Sequence, residues 1–294
     1  MDSWVGTTHG NEWMHKWLIR LLRCIDIRVL YVFVAVFVIP GYLVFNPSRS
    51  YAYRYFRRRM GYGRWRSAWK TCVNHCNFGL VVIDKFAMYA GMRFNIEIEG
   101  ADHFLQLAAQ KEGFVQLSSH IGNYEIAGYT LVSKSKRFNA LVFAGEKASV
   151  MRNRDKMFAE TNTRMIAVSP DMSHLFEIDK ALADGEIVSM SADRINGSPK
   201  YIEHDFLGAK ARFPLGPFSV ATSRGLNVLT VHVMKTSLRG YKTYVTPLHY
   251  DKSATRQEQI RQLSQAYVSE LERCVRQYPT QWYNYYNFWE IPNQ

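Results

Sequence analysis

Histidine is the side chain best suited to moving a proton near neutral pH, and His120 stands where such work can be done. It belongs to the run Ser118-Ser119-His120-Ile121-Gly122-Asn123-Tyr124-Glu125, which continues the short apolar strand Phe114-Val115-Gln116-Leu117-Ser118. A residue leaving the carboxyl end of a strand in an open α/β sheet faces the crevice where such sheets bind ligands. A turn at Gly122-Asn123 puts Glu125 in the first turn of a following helix, within reach of the imidazole. A carboxylate on one ring nitrogen orients the ring and stabilises its protonated form, so the other nitrogen can remove a proton from a hydroxyl. Spacing alone also allows a purely structural reading, since neither residue is rare near helix starts.

Other reactive types are less well placed. Ser118 and Ser119 point to opposite faces of a strand, and no G-x-S-x-G elbow surrounds either one. Cys72, His75 and Cys76 raise the question of a metal, but no second ligand pair at zinc-like spacing follows. Cys24, Cys72, Cys76 and Cys274 show no disulfide framework and read as free thiols of a reducing compartment. No metal is expected. His174, His204, His232 and His249 lack a carboxylate motif and read as surface or core residues.

The elements that must position His120 alternate. Besides 114–118, strands are expected at 140–144, 187–191, 228–234 and 244–248. Ser169-Pro170 opens a helix that Gly185 closes. A last helix starts at the capping box Thr255-Arg256-Gln257-Glu258, carries Ile260, Leu263, Tyr267, Leu271 and Cys274 on one face, and stops at Pro279. Strands alternating with helices indicate an α/β domain with a layered central sheet flanked by helices.

The N-terminal third differs. Residues 11–25 form an amphipathic pattern, with Trp13, Trp17, Leu18, Leu21, Leu22 and Ile25 opposite Lys16, Arg20 and Arg23, which suits a membrane interface or a helix docked on its own core. Val29 to Phe45 is uncharged and apolar, broken only by Pro40-Gly41. At helical rise it extends about 25 Å, close to the ~30 Å of a hydrocarbon layer. Arginines flank it on both sides, so a re-entrant anchor and a single span both remain open. Residues 46 to 100 read as helical, with Tyr and Arg interleaved from Tyr51 to Arg57, a pattern for lipid headgroups in preference to nucleic acid. The 294 residues are 47% hydrophobic and 14% aromatic, which excludes a disordered chain, and the net charge of +12 calls for an anionic partner or surface.

His120-Ile121-Gly122-Asn123-Tyr124-Glu125 resembles the H-x4-D/E motif of glycerolipid acyltransferases, in the H-x-G-N-[WY]-E form of the bacterial lipid A late acyltransferase family. Further blocks follow in the same order. Ala181 to Glu186 with Asp193-Arg194 resembles that family's "lkxGe…D-Q/R" block, and Phe206 to Pro217 resembles its F-[FL]-G-x-x-A block. Arg164 matches a recurrent arginine, and Pro279-Thr280-Gln281-Trp282 resembles its closing P-E-Q-[WY]. The likeness covers most of residues 70 to 289. Two departures stand out: Tyr283 to Phe288 replaces a basic tract, and Asp193-Arg194 replaces the more usual Asp-Gln.

The resemblance implies a glycerolipid acyltransferase-like fold with an N-terminal membrane-anchoring helix. Residues 1–45 would be the anchor, 46–100 a basic membrane-proximal region and 101–294 the acyltransferase domain. It implies transfer of a fatty acyl group from acyl carrier protein or acyl-CoA to a lipid acceptor, without cofactor or metal. His120 would act as base and Glu125 would orient it, with Gly122, Asn123, Arg164, Asp193 and Arg194 at the substrate and the oxyanion met by backbone N–H groups near Gly122 or by an arginine. The acceptor would be a lipid A precursor, as in lipopolysaccharide biosynthesis, or a lysophospholipid, aminolipid or aryl polyene-like lipid. The place would be the cytoplasmic face of the bacterial inner membrane, without nucleic acid. A non-catalytic lipid- or nucleic-acid-binding protein is the alternative of another class.

Overall fold

A computed structural model of the chain describes residues 12–126, 131, 133, 135–143, 150–154, 161–169, 171–195 and 200–289. Residues 1–11, Pro170 and Ala144, which entered the sequence reading, lie outside the described residues.

Five helices come first: α1 (Glu12–Cys24), α2 (Ile27–Phe33), α3 (Ile39–Phe45), α4 (Arg49–Arg58) and α5 (Arg64–Tyr89). Then β1 (Asn95–Glu99), α6 (Ala101–Ala109), β2 (Phe114–Ser118), β3 (Phe138–Phe143) and β4 (Thr163–Val168) follow. After these come α7 (His174–Ala183), β5 (Ile187–Ser191), β6 (Tyr201–Phe206), β7 (Ala209–Pro214) and α8 (Gly216–Ser223). The chain closes with β8 (Asn227–Lys235), β9 (Gly240–Leu248) and α9 (Arg256–Gln277).

Seven strands make one sheet in the order β1-β9-β8-β2-β5-β3-β4, and β6 with β7 forms a separate antiparallel hairpin. From β8 to β4 all neighbours are parallel, while β9 runs antiparallel to β8 and carries β1 beside it. β2 is buried at every residue, as a central strand covered on both faces must be. Its alternating side chains divide the core. Val115 and Leu117 meet Phe213, Phe218, Tyr267 and Leu271 on the side of α8 and α9, whereas Phe114 joins Phe104, Leu229 and Tyr241 on the side of α6.

The structure confirms the α/β reading and refines its edges. β2 and β5 fall where expected, and Thr255 caps α9 by accepting the Glu258 N–H. β1 lies inside the segment read as helical, and β4 and the β6–β7 hairpin are additional. β1, β6 and β7 carry charges at alternate positions, at Glu97 and Glu99, Glu203 and Asp205, and Lys210 and Arg212, which hides them from an apolar-run criterion.

The apolar N-terminal run is one helix of 19 residues, Ile27–Phe45, and by length and composition it is a candidate to cross a membrane. Pro40 neither ends it nor breaks it. The turn before it, Val34–Val38, widens to a π-helix, and Ile39 donates to the carbonyl of Val34. Proline cannot donate and crowds the preceding turn, and a widened turn absorbs that strain.

Candidate active site

β2 and β5 are parallel neighbours in a register that pairs Ser118 with Ser191. Counting two residues beyond each gives His120 and Asp193, so adjacent strands deliver both side chains to the same edge of the sheet. The contact is double. His120 Nδ1 lies 2.8 Å from Asp193 Oδ1, and the His120 backbone N–H donates to Asp193 Oδ2 at 2.8 Å. With a buried carboxylate on Nδ1, the proton sits there and Nε2 is the basic nitrogen. The imidazole is 18% exposed while Asp193 is 1% exposed, so the base can be reached but its partner cannot.

Burial lowers the His120 pKa below its ordinary value, and neighbouring Arg194 adds to this; the Asp193 charge and hydrogen bond oppose both. Burial works to raise Asp193, but the His120 charge and hydrogen bonds and the charge of Arg194 hold it below the usual carboxylate range. The pair is therefore a neutral imidazole beside an ionised carboxylate near pH 7.

Glu125 takes a different place from the one expected. Residues 124–126 are helical, as the turn required. The carboxylate, however, faces Lys85 Nζ at 2.7 Å, Arg154 and the Tyr89 hydroxyl at 3.1 Å. Burial works against its ionisation, yet Arg154 and Lys85 prevail and hold its pKa at about 2. The carboxylate bonded to the His120 ring is thus Asp193, and Glu125 is the anion that keeps two buried cations together. Two cations compete for Glu125 more strongly than a neutral imidazole can. No spacing in the sequence pointed to Lys85 or Arg154, because they come from α5 and from the stretch at 150–154.

The loop between them is held by its backbone. Gly122 has φ +62, and a Cβ there would stand 1.9 Å from the carbonyl oxygen of Val233, so only glycine fits. Its N–H donates to the Gln281 carbonyl at 2.8 Å, and the Asn123 N–H donates to the Val233 carbonyl at 2.8 Å. Both amides are engaged within the protein, which removes them as oxyanion donors. Asn123 is 2% exposed, and its side chain donates to the Tyr241 hydroxyl at 3.3 Å. Tyr241 in turn donates to buried Asp84, which also holds Lys235 and the Tyr31 hydroxyl of α2. Gly122 and Asn123 thus brace the loop through these bonds.

Arg194 stands beside the His120–Asp193 pair. It donates to the Tyr283 carbonyl at 2.6 Å, and the Tyr283 N–H donates to the His120 carbonyl at 3.1 Å. The aromatic tract from Tyr283 to Phe288 therefore packs beside the loop that carries His120, with Tyr285 stacked on His75 and Phe288 against Trp282. Tyr124, 42% exposed, sets its ring edge-on to the imidazole at 5.8 Å between centroids. Arg164 is a correction. It lies near the amino end of edge strand β4, aligned with Asn139 and through it with Val188, and pairs on the surface with Glu177. The site is at the other end of the parallel strands.

Among the described residues, His232, Glu270 and Cys274 form the group of donors close enough together to hold a metal. Glu270 is already bonded to Arg273 and Thr246, burial pushes the Cys274 thiol up to about 12, and burial lowers His232 to about 4. A protonated thiol beside a guanidinium makes a poor cation site.

The fold and site define a class: an α/β protein with a carboxylate-held histidine at the carboxyl edge of a central parallel strand. A family model described as bacterial lipid A biosynthesis acyltransferase matches residues 79–290, and the chain belongs to that family. A phosphatidylinositol mannoside acyltransferase of Mycobacterium tuberculosis is 24% identical over 187 residues, 63% of this chain and 57% of that protein. The chain thus matches little more than half the length of this curated relative. Among solved structures, the 1-acyl-sn-glycerophosphate acyltransferase PlsC of Thermotoga maritima is similar over 93% of this chain and 100% of its own, with a TM-score of 0.40 and 15% identity.

Proposed function

We propose that the protein moves a fatty acyl group from a thioester to a hydroxyl of a lipid acceptor, with His120 as general base and Asp193 as its orienting carboxylate. The observation that carries this reading is the pair of hydrogen bonds that His120 makes to the Asp193 carboxylate in a chain of this family. Nε2 takes the hydroxyl proton as the oxygen attacks the thioester carbon. The Asp193 charge stabilises the imidazolium that results. Arg194, beside the pair, meets the oxyanion. Collapse of the tetrahedral intermediate breaks the C–S bond, and the leaving thiolate recovers the proton from Nε2. A thioester needs no further electrophilic help.

The donor in this reading is acyl carrier protein or acyl-CoA. The acceptor is a lipid A precursor, or a lysophospholipid, aminolipid or aryl polyene-like lipid. The relative named for a mannoside supports an acceptor that offers a sugar hydroxyl. The protein works at the cytoplasmic face of the bacterial inner membrane, held by its N-terminal segment. The Ile27–Phe45 helix lies along α5, since a Cβ at Gly79 would meet Val34 and Ile39. α5 is itself docked to the α/β domain near its middle, through Asn74 to Thr280 and Trp282, and near its carboxyl end, through Lys85 to Glu125. An anchor lying in the membrane plane fits this packing better than a span, which would draw the polar domain into hydrocarbon.

The test is acyl transfer by purified protein from an acyl carrier protein thioester, comparing a lipid A precursor with a less anionic lyso-lipid at fixed salt. Because the tract from Tyr283 to Phe288 is uncharged where the family resemblance places basic residues, with Tyr285 and Tyr286 at the positions of its two arginines, the less anionic acceptor is expected to react faster. His120→Ala should abolish turnover and keep the fold; wild-type turnover by that variant would sink the mechanism.

A further inference from the structure

Six residues of α5, Trp65, Trp69, Cys72, Cys76, Gly79 and Ile83, recur at helical spacing and form a single stripe. The second half of this stripe is the seat of the N-terminal helix. A Cβ on Gly79 would lie 2.9 Å from Val34, Ile83 clusters with Ile27 and Tyr31, and neighbouring His75 meets the Tyr42 ring at 5.8 Å. These pairings run antiparallel, so α3 ends near the middle of α5. Beyond that end the stripe continues uncovered, with Trp65 at 90% exposure and Trp69 at 65%, and Phe45, the last residue of α3, is 87% exposed as well. The rotation of α5 is set by its opposite face, where Ser67, Thr71 and Asn74 are buried and Asn74 donates to the carbonyls of Thr280 and Trp282, each at 3.0 Å. Trp65 and Trp69 therefore point away from the domain, on the side that carries the anchor helix.

Charge narrows the partner. Between Asp26 and Asp84 the sequence has no acidic residue, and Arg64 and Arg66 flank Trp65 directly. Two exposed indoles in a field of arginines, continuous with an apolar helix, match the interfacial layer of an anionic bilayer, where the rings sit at headgroup depth and the guanidiniums meet phosphates. An acidic protein would use the arginines but would leave the indoles unexplained.

We infer that the first two turns of α5 are a second membrane contact, separate from the N-terminal anchor, in which Trp65 and Trp69 enter the interface of an anionic phospholipid bilayer. This rests on the membrane attachment proposed above. The test uses full-length protein and vesicles of phosphatidylcholine with and without phosphatidylglycerol. Trp65→Ala with Trp69→Ala should weaken binding to the anionic vesicles by about tenfold or more, the scale for two lost apolar contacts. Arg64→Gln with Arg66→Gln should flatten the salt dependence of binding. Quenching of tryptophan fluorescence by brominated lipid should drop in Trp65→Phe with Trp69→Phe, variants that keep an aromatic ring and the fold. Variants that bind and are quenched like wild type overturn the second contact and leave the anchor standing. Wild-type protein that ignores both vesicles overturns the attachment reading itself. If the tryptophan variants keep vesicle binding but lose binding to acyl carrier protein, the patch belongs to that acidic partner and the inference is wrong.

Discussion

Asp193 grips His120 twice, once at the ring through Nδ1 and once at the main chain through the backbone N–H, both at 2.8 Å. A carboxylate bonded in this way fixes where the imidazole stands as well as which nitrogen carries its proton. Both contacts follow from the parallel register of β2 with β5.

The pair makes a prediction with a sign. Activity needs neutral His120, so the rate should rise with pH through a pKa lying below the ordinary histidine value of about 6.5. Asp193 raises this pKa and Arg194 lowers it. Asp193→Asn should therefore move the acid limb to lower pH and reduce kcat by about 10²–10⁴. Arg194→Gln should move the limb to higher pH. The pH dependence of kcat/KM for the three proteins decides it, and a limb that stays put in both variants would separate His120 from the reaction.

Glu125 should reveal itself in stability before catalysis. Its folded pKa of about 2 lies below the unfolded value near 4.3, so its stabilising contribution is complete above about pH 5 and fades as pH falls toward 2. That contribution amounts to about 3 kcal/mol. Glu125→Gln leaves Lys85 and Arg154 without their shared anion and should cost about 3–5 kcal/mol at neutral pH. Denaturant unfolding across this range should show a flatter acid slope in the variant. Equal stability of the two proteins would refute the clamp.

Gly122→Ala tests the loop. The added methyl would collide with the Val233 carbonyl, and the backbone has φ +62. A destabilisation of at least about 1–3 kcal/mol is expected, with a large fall in kcat because Ile121 and Gly122 carry His120. Crystals of the variant should show the bond from Gly122 N–H to Gln281 broken; an unchanged loop with full activity would contradict the account.

Several features could be read from the residue string because they depend on neighbours in the chain. The apolar run of β2, the capping box at Thr255 and the turn at Gly122-Asn123 are local patterns, and they located His120 at a strand end. The uncharged stretch before Phe45 likewise announced a helix. The charge partners could not be read in this way. Glu125 is five residues from His120 and Asp193 is 73 residues away, yet the ring contact belongs to Asp193. Strand register decided that, since β5 lies next to β2 only in the folded sheet. Competition between ions settled the rest: Lys85 and Arg154 converge on Glu125 from separate parts of the chain and draw it from the imidazole. Arg164 shows the same dependence in reverse, because a recurrent arginine is at the strand-end site only if its strand ends there, and Arg164 is the second residue of β4, at the strand's amino end. Local sequence determined the elements and the place of His120 at a strand end; long-range electrostatics and sheet order, which exist only in the tertiary structure, decided which carboxylate meets its ring.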